Sequence, residues 1–141
     1  MIRPYHAGDV EDIVDIWYQA SLVAHPFLSE HFLADEERKI RQGYLPAAQT
    51  WVYEEAGQVV GFISLLGNEV GGVFVHPEMQ RRGIGAALMD MACSLHDTVE
   101  LEVFQANSIG RAFYAKYGFE PIDEFTLDET GEPTIRLRYG S

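Results

Sequence analysis

The residues of this chain best equipped for chemistry lie in one run, Val73-Phe74-Val75-His76-Pro77-Glu78-Met79-Gln80-Arg81-Arg82-Gly83-Ile84-Gly85-Ala86-Ala87-Leu88. An apolar strand passes through a proline-marked turn to paired arginines and two glycines, and a helix follows. The N–H groups at a helix start have no partner of their own and can hold a phosphate. Gly83 and Gly85 remove side chains where a pyrophosphate would come closest to the backbone. Arg81 and Arg82 add two fixed positive charges. The spacing predicts an anion site. A Walker-type loop would place Lys and then Ser or Thr where Ala86-Ala87 stand, and a dinucleotide fingerprint would need a third glycine where Leu88 stands. Neither nucleotide hydrolysis nor a nicotinamide or flavin site is expected.

The bulk composition narrows the partners. At 141 residues and 47% hydrophobic content the chain has the size and make-up of a single globular domain, residues 1–141. Ten Lys and Arg stand against 22 Asp and Glu, a formal charge of −12. That balance opposes nonspecific binding to nucleic acid or to an anionic membrane and favours a cationic partner. No signal-peptide pattern and no run of about 20 apolar residues is present, so a cytoplasmic location is expected. Cys93 is the sole cysteine, and the five histidines show no paired metal spacing, so no metal is expected.

The elements that must position the anion site follow from periodicity. Ile2 to Tyr5 reads as a strand, and Asp9 is placed to cap an amphipathic helix running to about Leu22. A Pro-broken apolar loop, Val23 to Leu28, precedes a second helical pattern from Ser29 to Leu45. Trp51–Tyr53, Val59–Leu66 and a third strand ending near Val75 form an antiparallel meander. Ala86 to His96 is helical, with Leu88, Met89, Met91, Ala92 and Leu95 inward. Val99, Leu101 and Val103 alternate with Glu100 and Glu102 in a strand. Asn107 to Tyr117 gives a last helix, with Ile109, Ala112 and Phe113 inward and Gly118 as its stop. Phe119–Leu127 and Thr134–Tyr139 close as a hairpin around Asp128 to Gly131. This order is a mixed α/β domain with helices over a central sheet.

The string Gln80-Arg81-Arg82-Gly83-Ile84-Gly85, after Val-Phe-Val-His-Pro, resembles the acetyl-CoA signature of the GNAT superfamily of N-acetyltransferases. A second similar element follows from Leu101 to Phe119, matching at Asn107, Phe113-Tyr114 and Gly118-Phe119 and departing only in Gly110 for Ala. The resemblance covers the whole chain in element order. It implies a mostly antiparallel sheet of about seven strands with a splayed parallel pair, Val70–Val75 and Val99–Phe104, flanked by about four helices. It also implies that backbone groups of Phe74 and Val75 meet the acetyl and pantetheine portion. Gln80 belongs to the signature, N–H groups from Arg81, Arg82, Gly83, Ile84, Gly85 and Ala86 would hold the pyrophosphate, and Asn107 would contact pantetheine.

The implied reaction is attack of an amine on acetyl-CoA, with a backbone N–H of Val75 or Phe74 steadying the oxyanion. Tyr114, whose phenol ordinarily titrates near pH 10, can give a proton to the departing thiolate. An alkylamine of pKa about 10 is roughly 0.1% neutral at pH 7, so a base or a water chain must take its proton. Glu102 is the first candidate, because similar protein-acetylating enzymes use the equivalent glutamate of a Leu-Glu-Val strand. His25, in the loop expected over the acceptor, is the second. Glu54 and Glu69, near sheet ends, are weaker ones. The acceptor is a small-molecule or peptide amine of open identity, and the resemblance leaves a homodimer open. A noncatalytic CoA-binding module is the competing reading; it would keep the glycines and arginines but would not depend on Tyr114.

Overall fold

The computed structural model describes residues 1–140. Its elements are β1 (Ile2–Pro4), α1 (Val10–Ala24), α2 (Glu30–Lys39), the single turn α3 (Leu45–Ala47), β2 (Gln49–Glu55), β3 (Gln58–Leu66), β4 (Glu69–Val75), α4 (Ile84–Leu95), β5 (Thr98–Phe104), α5 (Ser108–Tyr117), β6 (Glu120–Thr126) and β7 (Pro133–Gly140). The seven strands form one sheet in the order β1-β2-β3-β4-β5-β7-β6. Every neighbouring pair is antiparallel except β4 with β5. The mixed α/β class, the seven strands and the single parallel pair agree with the expectation from sequence.

Strand alternation divides the core into two layers. Val52, Phe62 and Phe74 point to the face covered by α1 and α2, where they meet Ile13, Ile16, Trp17 and Leu33. Ile63, Leu65, Val70, Val99 and Leu101 point to the other face, under Leu88, Met89 and Ala92 of α4. The apolar stripe of α4 is the reason it lies there: Leu88, Met89 and Ala92 recur at one-turn spacing and are fully buried.

Three local expectations are corrected. Asp9 does not cap α1 through its side chain. Its carboxylate is buried, accepts from the His6 N–H at 3.0 Å and pairs with both terminal nitrogens of Arg3, because a 3-10 turn, Ala7–Asp9, precedes the helix. Leu95 and Ile109, expected inward, are 43% and 50% exposed, and Ala112 is exposed too. Leu95 is the last residue of α4, beyond the sheet. On α5 the larger surfaces of Phe113, Tyr114 and Tyr117 claim the inner face, which turns Ile109 and Ala112 outward. The helical pattern from Ser29 to Leu45 is present but interrupted: Ser29 caps α2 through the Phe32 N–H at 3.1 Å, and a π turn occupies Ile40–Tyr44.

Candidate functional site

The parallel strands part almost as soon as they meet. β4 pairs β5 only at Glu69↔Glu100 and Val70↔Leu101. Beyond those two pairs β4 follows β3 through a bulge, in which Leu65 opposes Val70 and Ser64 opposes Gly72, leaving Gly71 unopposed. β5 instead follows β7 along its whole length, from Thr98↔Gly140 to Phe104↔Thr134. The result is a wedge between Val73–Val75 and Val103–Phe104. The His76 N–H reaches the Val60 carbonyl of β3 at 2.9 Å. Because successive strand residues turn their N–H and C=O groups to opposite edges, Phe74 spends its groups on β3 opposite Phe62. Val75 therefore turns its groups toward the gap, as does Val73, which the sequence reading did not single out. The bulge sets that parity, and no motif encodes it.

At the mouth of the wedge the chain builds a concave run of amides. Arg81 has φ +67° and Gly83 has φ +82°, both left-handed, and alternating hands aim successive N–H groups inward. Gly83 is the N-cap of α4, and no side chain caps the helix. The first intrahelical bond runs from Ala87 N–H to Gly83 O at 3.0 Å, so the amides of Ile84, Gly85 and Ala86 point outward without an intrahelical acceptor. Arg81, Arg82 and Gly83 are exposed. Among the described residues, Arg3, Arg38, Lys39, Arg41, Arg136 and Arg138 pair with carboxylates; Arg81 and Arg82 do not, nor do Arg111, which donates to the Gln105 carbonyl, and Lys116, both on α5. In so acidic a chain, two unpaired guanidiniums beside an uncapped helix start are groups that can hold an anion.

The two glycines do different work. A Cβ at Gly83 would meet nothing within 4 Å, and the left-handed backbone is what favours glycine there. A Cβ at Gly85 would meet the Phe113 ring at 3.3 Å and Val75 at 3.8 Å, so Gly85 lets α5 close on the wedge. Gln80 reaches back to donate from Nε2 to the Val75 carbonyl at 3.1 Å, fixing the loop to β4.

Asn107 caps α5 by accepting the Gly110 N–H on Oδ1 at 2.9 Å. That bond fixes the amide, so Nδ2 is the atom 3.1 Å from His25 Nε2. An amide nitrogen only donates, so Nε2 accepts, and the imidazole carries its proton on Nδ1. Burial pushes the His25 pKa down to about 4, in agreement with a neutral ring. The ring also sits edge-on to Phe27 and Phe104, with centroids 5.6 and 5.3 Å away. At Gly110, the departure from the family pattern, a Cβ would lie 2.5 Å from Asn107 Nδ2 as that amide is turned here toward His25.

Tyr114 packs edge-on between Phe113 and Phe119 on the α4 side of the sheet. Burial pushes its phenol pKa above the ordinary value, so it is a neutral donor at pH 7. Glu102 lies on the opposite face, where alternation also places Glu100. Its carboxylate accepts from Arg136 at 3.0 Å, in a ladder where Glu69, Glu100 and Glu102 share Arg136 and Arg138. Glu54 is held by Arg3 at 2.6 Å at the far edge. The structure thus brings His25, Phe27, Phe104 and Asn107 together at the end of β5, with Glu102 two residues back along that strand. Tyr114 stands on the other face. The gap is where the two faces meet.

The sequence pattern of the acetyltransferase (GNAT) domain matches residues 46–121, which span the wedge, the anion loop and both α4 and α5. The chain belongs to the GNAT acetyltransferase family. It is 37% identical over 135 residues to the peptidyl-lysine N-acetyltransferase YiaC of Escherichia coli, covering 95% of this chain and 92% of that protein. It is 32% identical over 133 residues to the peptidyl-lysine N-acetyltransferase YjaB of the same organism, covering 94% and 90%. The solution structure of apo-form YjaB superposes with a TM-score of 0.89 at 30% identity, covering 100% of this chain and 98% of that one. The PaiA N-acetyltransferase of Thermoplasma acidophilum, solved in complex with coenzyme A, shares the fold with a TM-score of 0.73 at 19% identity over 99% of this chain and 98% of that one. This acetyltransferase is therefore an acyltransferase by family, and none of its described helices is long and apolar enough to cross a membrane.

Proposed function

We propose that this acetyltransferase moves acetyl from acetyl-CoA to a primary amine, the lysine side chain of a peptide, by direct attack without a covalent enzyme intermediate. The observation that carries the reading is a splayed β4–β5 wedge opening onto an uncapped α4 N-terminus with two unpaired arginines. That arrangement suits a long thioester with a pyrophosphate at its far end. Arg81 and Arg82 and the amides of Ile84, Gly85 and Ala86 hold the pyrophosphate. Asn107, with one amide hydrogen on His25, offers the second to pantetheine. The relatives named for peptidyl-lysine acetylation and the formal charge of −12 favour a cationic acceptor.

Backbone N–H groups turned into the gap, Val73 on the apex side and Val75 beyond it, steady the negative charge that develops on the thioester oxygen. Tyr114 gives its proton to the leaving thiolate. Glu102, on the acceptor face, takes the proton that the amine loses, directly or through water. His25 is assigned a different part: its one basic nitrogen already accepts from Asn107, so it positions the loop before α2 against the pantetheine contact.

The test is thiol release from acetyl-CoA with a lysine-containing peptide and a panel of small amines, alongside calorimetric binding of acetyl-CoA. Turnover with the peptide is the expected result. Tight binding with no turnover on any amine would replace the enzyme by a cofactor-binding module.

A further inference from the structure

Tyr44 carries a hydroxyl that is buried and has no hydrogen-bond partner among the described residues. Buried hydroxyls are nearly always paired, and an orphan calls for a reason. Its position supplies one. Tyr44 ends the π turn Ile40–Tyr44, an irregularity frequent at functional sites. The ring lies over Gly71, where a Cβ would fall on the phenol itself. Gly71 is the unopposed residue of the β4 bulge, one step past Val70↔Leu101, the last pair before the strands part. The hydroxyl therefore stands at the apex of the wedge. The Gly71 N–H lies beside it, off the line of a full hydrogen bond, and lowers its pKa, but burial first and then the neighbouring Glu69 carboxylate outweigh that and push the pKa up to about 12. It is a neutral phenol that can accept an N–H.

Building on the acetyl-transfer reading above, we propose that Tyr44 orients the acceptor: its phenol oxygen accepts one N–H of the neutral amine at the wedge apex, aiming the nitrogen lone pair at the thioester carbon. Tyr44 keeps its proton throughout. The new C–N bond forms as the C–S bond breaks, the amine's proton leaves to Glu102 or water, and the thiolate is protonated by Tyr114. Glycine at position 71 is then required because any side chain would occupy the place of the phenol.

The experiment compares wild type and Tyr44→Phe with acetyl-CoA and the lysine-containing peptide, measuring kcat and KM for the peptide, acetyl-CoA Kd by calorimetry, and Tm. Removing an unpartnered hydroxyl costs the fold no hydrogen bond, so Tm should hold or rise and acetyl-CoA Kd should not change. Peptide kcat/KM should fall 10- to 100-fold. Equal kcat/KM in an active wild type overturns the role of Tyr44 alone. A loss that comes with a lower Tm and weaker acetyl-CoA binding also overturns it, in favour of packing. A wild type that binds acetyl-CoA but turns over no amine overturns the parent reading, and this one with it.

Discussion

His25 and Asn107, 82 positions apart in the chain, are joined by a 3.1 Å hydrogen bond that ties the loop before α2 to the N-cap of α5. The second bond of Asn107, from the Gly110 N–H, gives that contact a direction: the amide donates and the imidazole accepts. Any proton added at Nε2 would face an N–H, so the pair works only while the ring is neutral.

The first prediction concerns pH. The unfolded chain takes up a proton on this histidine near pH 6.5, which the folded protein refuses until about pH 4. Stability is therefore lost as pH falls through that window, by on the order of 2 kcal/mol. Urea midpoints at pH 7 and pH 4.5 should differ by more in wild type than in His25→Gln. Asn107→Asp should raise the histidine pKa, seen in the ring 15N shifts, by offering a carboxylate to a charged ring. An unchanged titration would contradict the assigned hydrogen-bond direction.

Tyr114→Phe should keep acetyl-CoA affinity and lose turnover, by about 10²-fold or more if proton donation to the thiolate limits the rate. Steady-state kinetics with calorimetric binding will show this. Equal rates in the two proteins would remove the acid role.

Arg81 pays for its left-handed backbone in stability. Arg81→Gly should relieve that strain and raise stability by up to about 1 kcal/mol, while weakening acetyl-CoA binding several-fold and reducing its salt dependence. Gly83→Glu should do worse on both counts, since it puts a side chain at φ +82° and a negative charge at the helix start. Binding unaffected by either change would mean that the anion lies elsewhere.

Glu102→Gln separates the two base candidates. If Glu102 accepts the amine's proton, kcat/KM for the peptide should fall at least 10²-fold near pH 7, with acetyl-CoA Kd unchanged. In His25→Gln the acetyl-CoA Kd should instead rise, because the loop loses its tie to Asn107. A larger loss of turnover in His25→Gln than in Glu102→Gln would reverse the assignments.

Local chemistry wrote much of this protein into its sequence. The anion loop could be read because helix-start amides, glycines and arginines act within a few neighbouring residues, and the strand pattern that starts at Trp51 marked the sheet for the same reason. The alternation of Val99, Leu101 and Val103 with Glu100 and Glu102 showed which face each residue takes, since side-chain direction in a strand is a property of parity. Local rules failed where distant surfaces compete. Ile109 and Ala112 point outward because Phe113, Tyr114 and Tyr117 take the inner face, and Asp9 left its expected cap because Arg3 and the His6 N–H claim its carboxylate.

Only the tertiary structure decided what the wedge contains. The bulge that leaves Gly71 unopposed depends on β4 staying with β3 while β5 stays with β7, a contest between strands that no single segment records. The same packing turns Val73 and Val75 into the gap, lays Tyr44 over Gly71, and commits His25 to Asn107. By itself the sequence determined which groups are available to bind an anion and move a proton. Which of them face one another was settled by burial and by hydrogen bonds between residues far apart in the chain, because a side chain's partner is fixed by the space it is packed into.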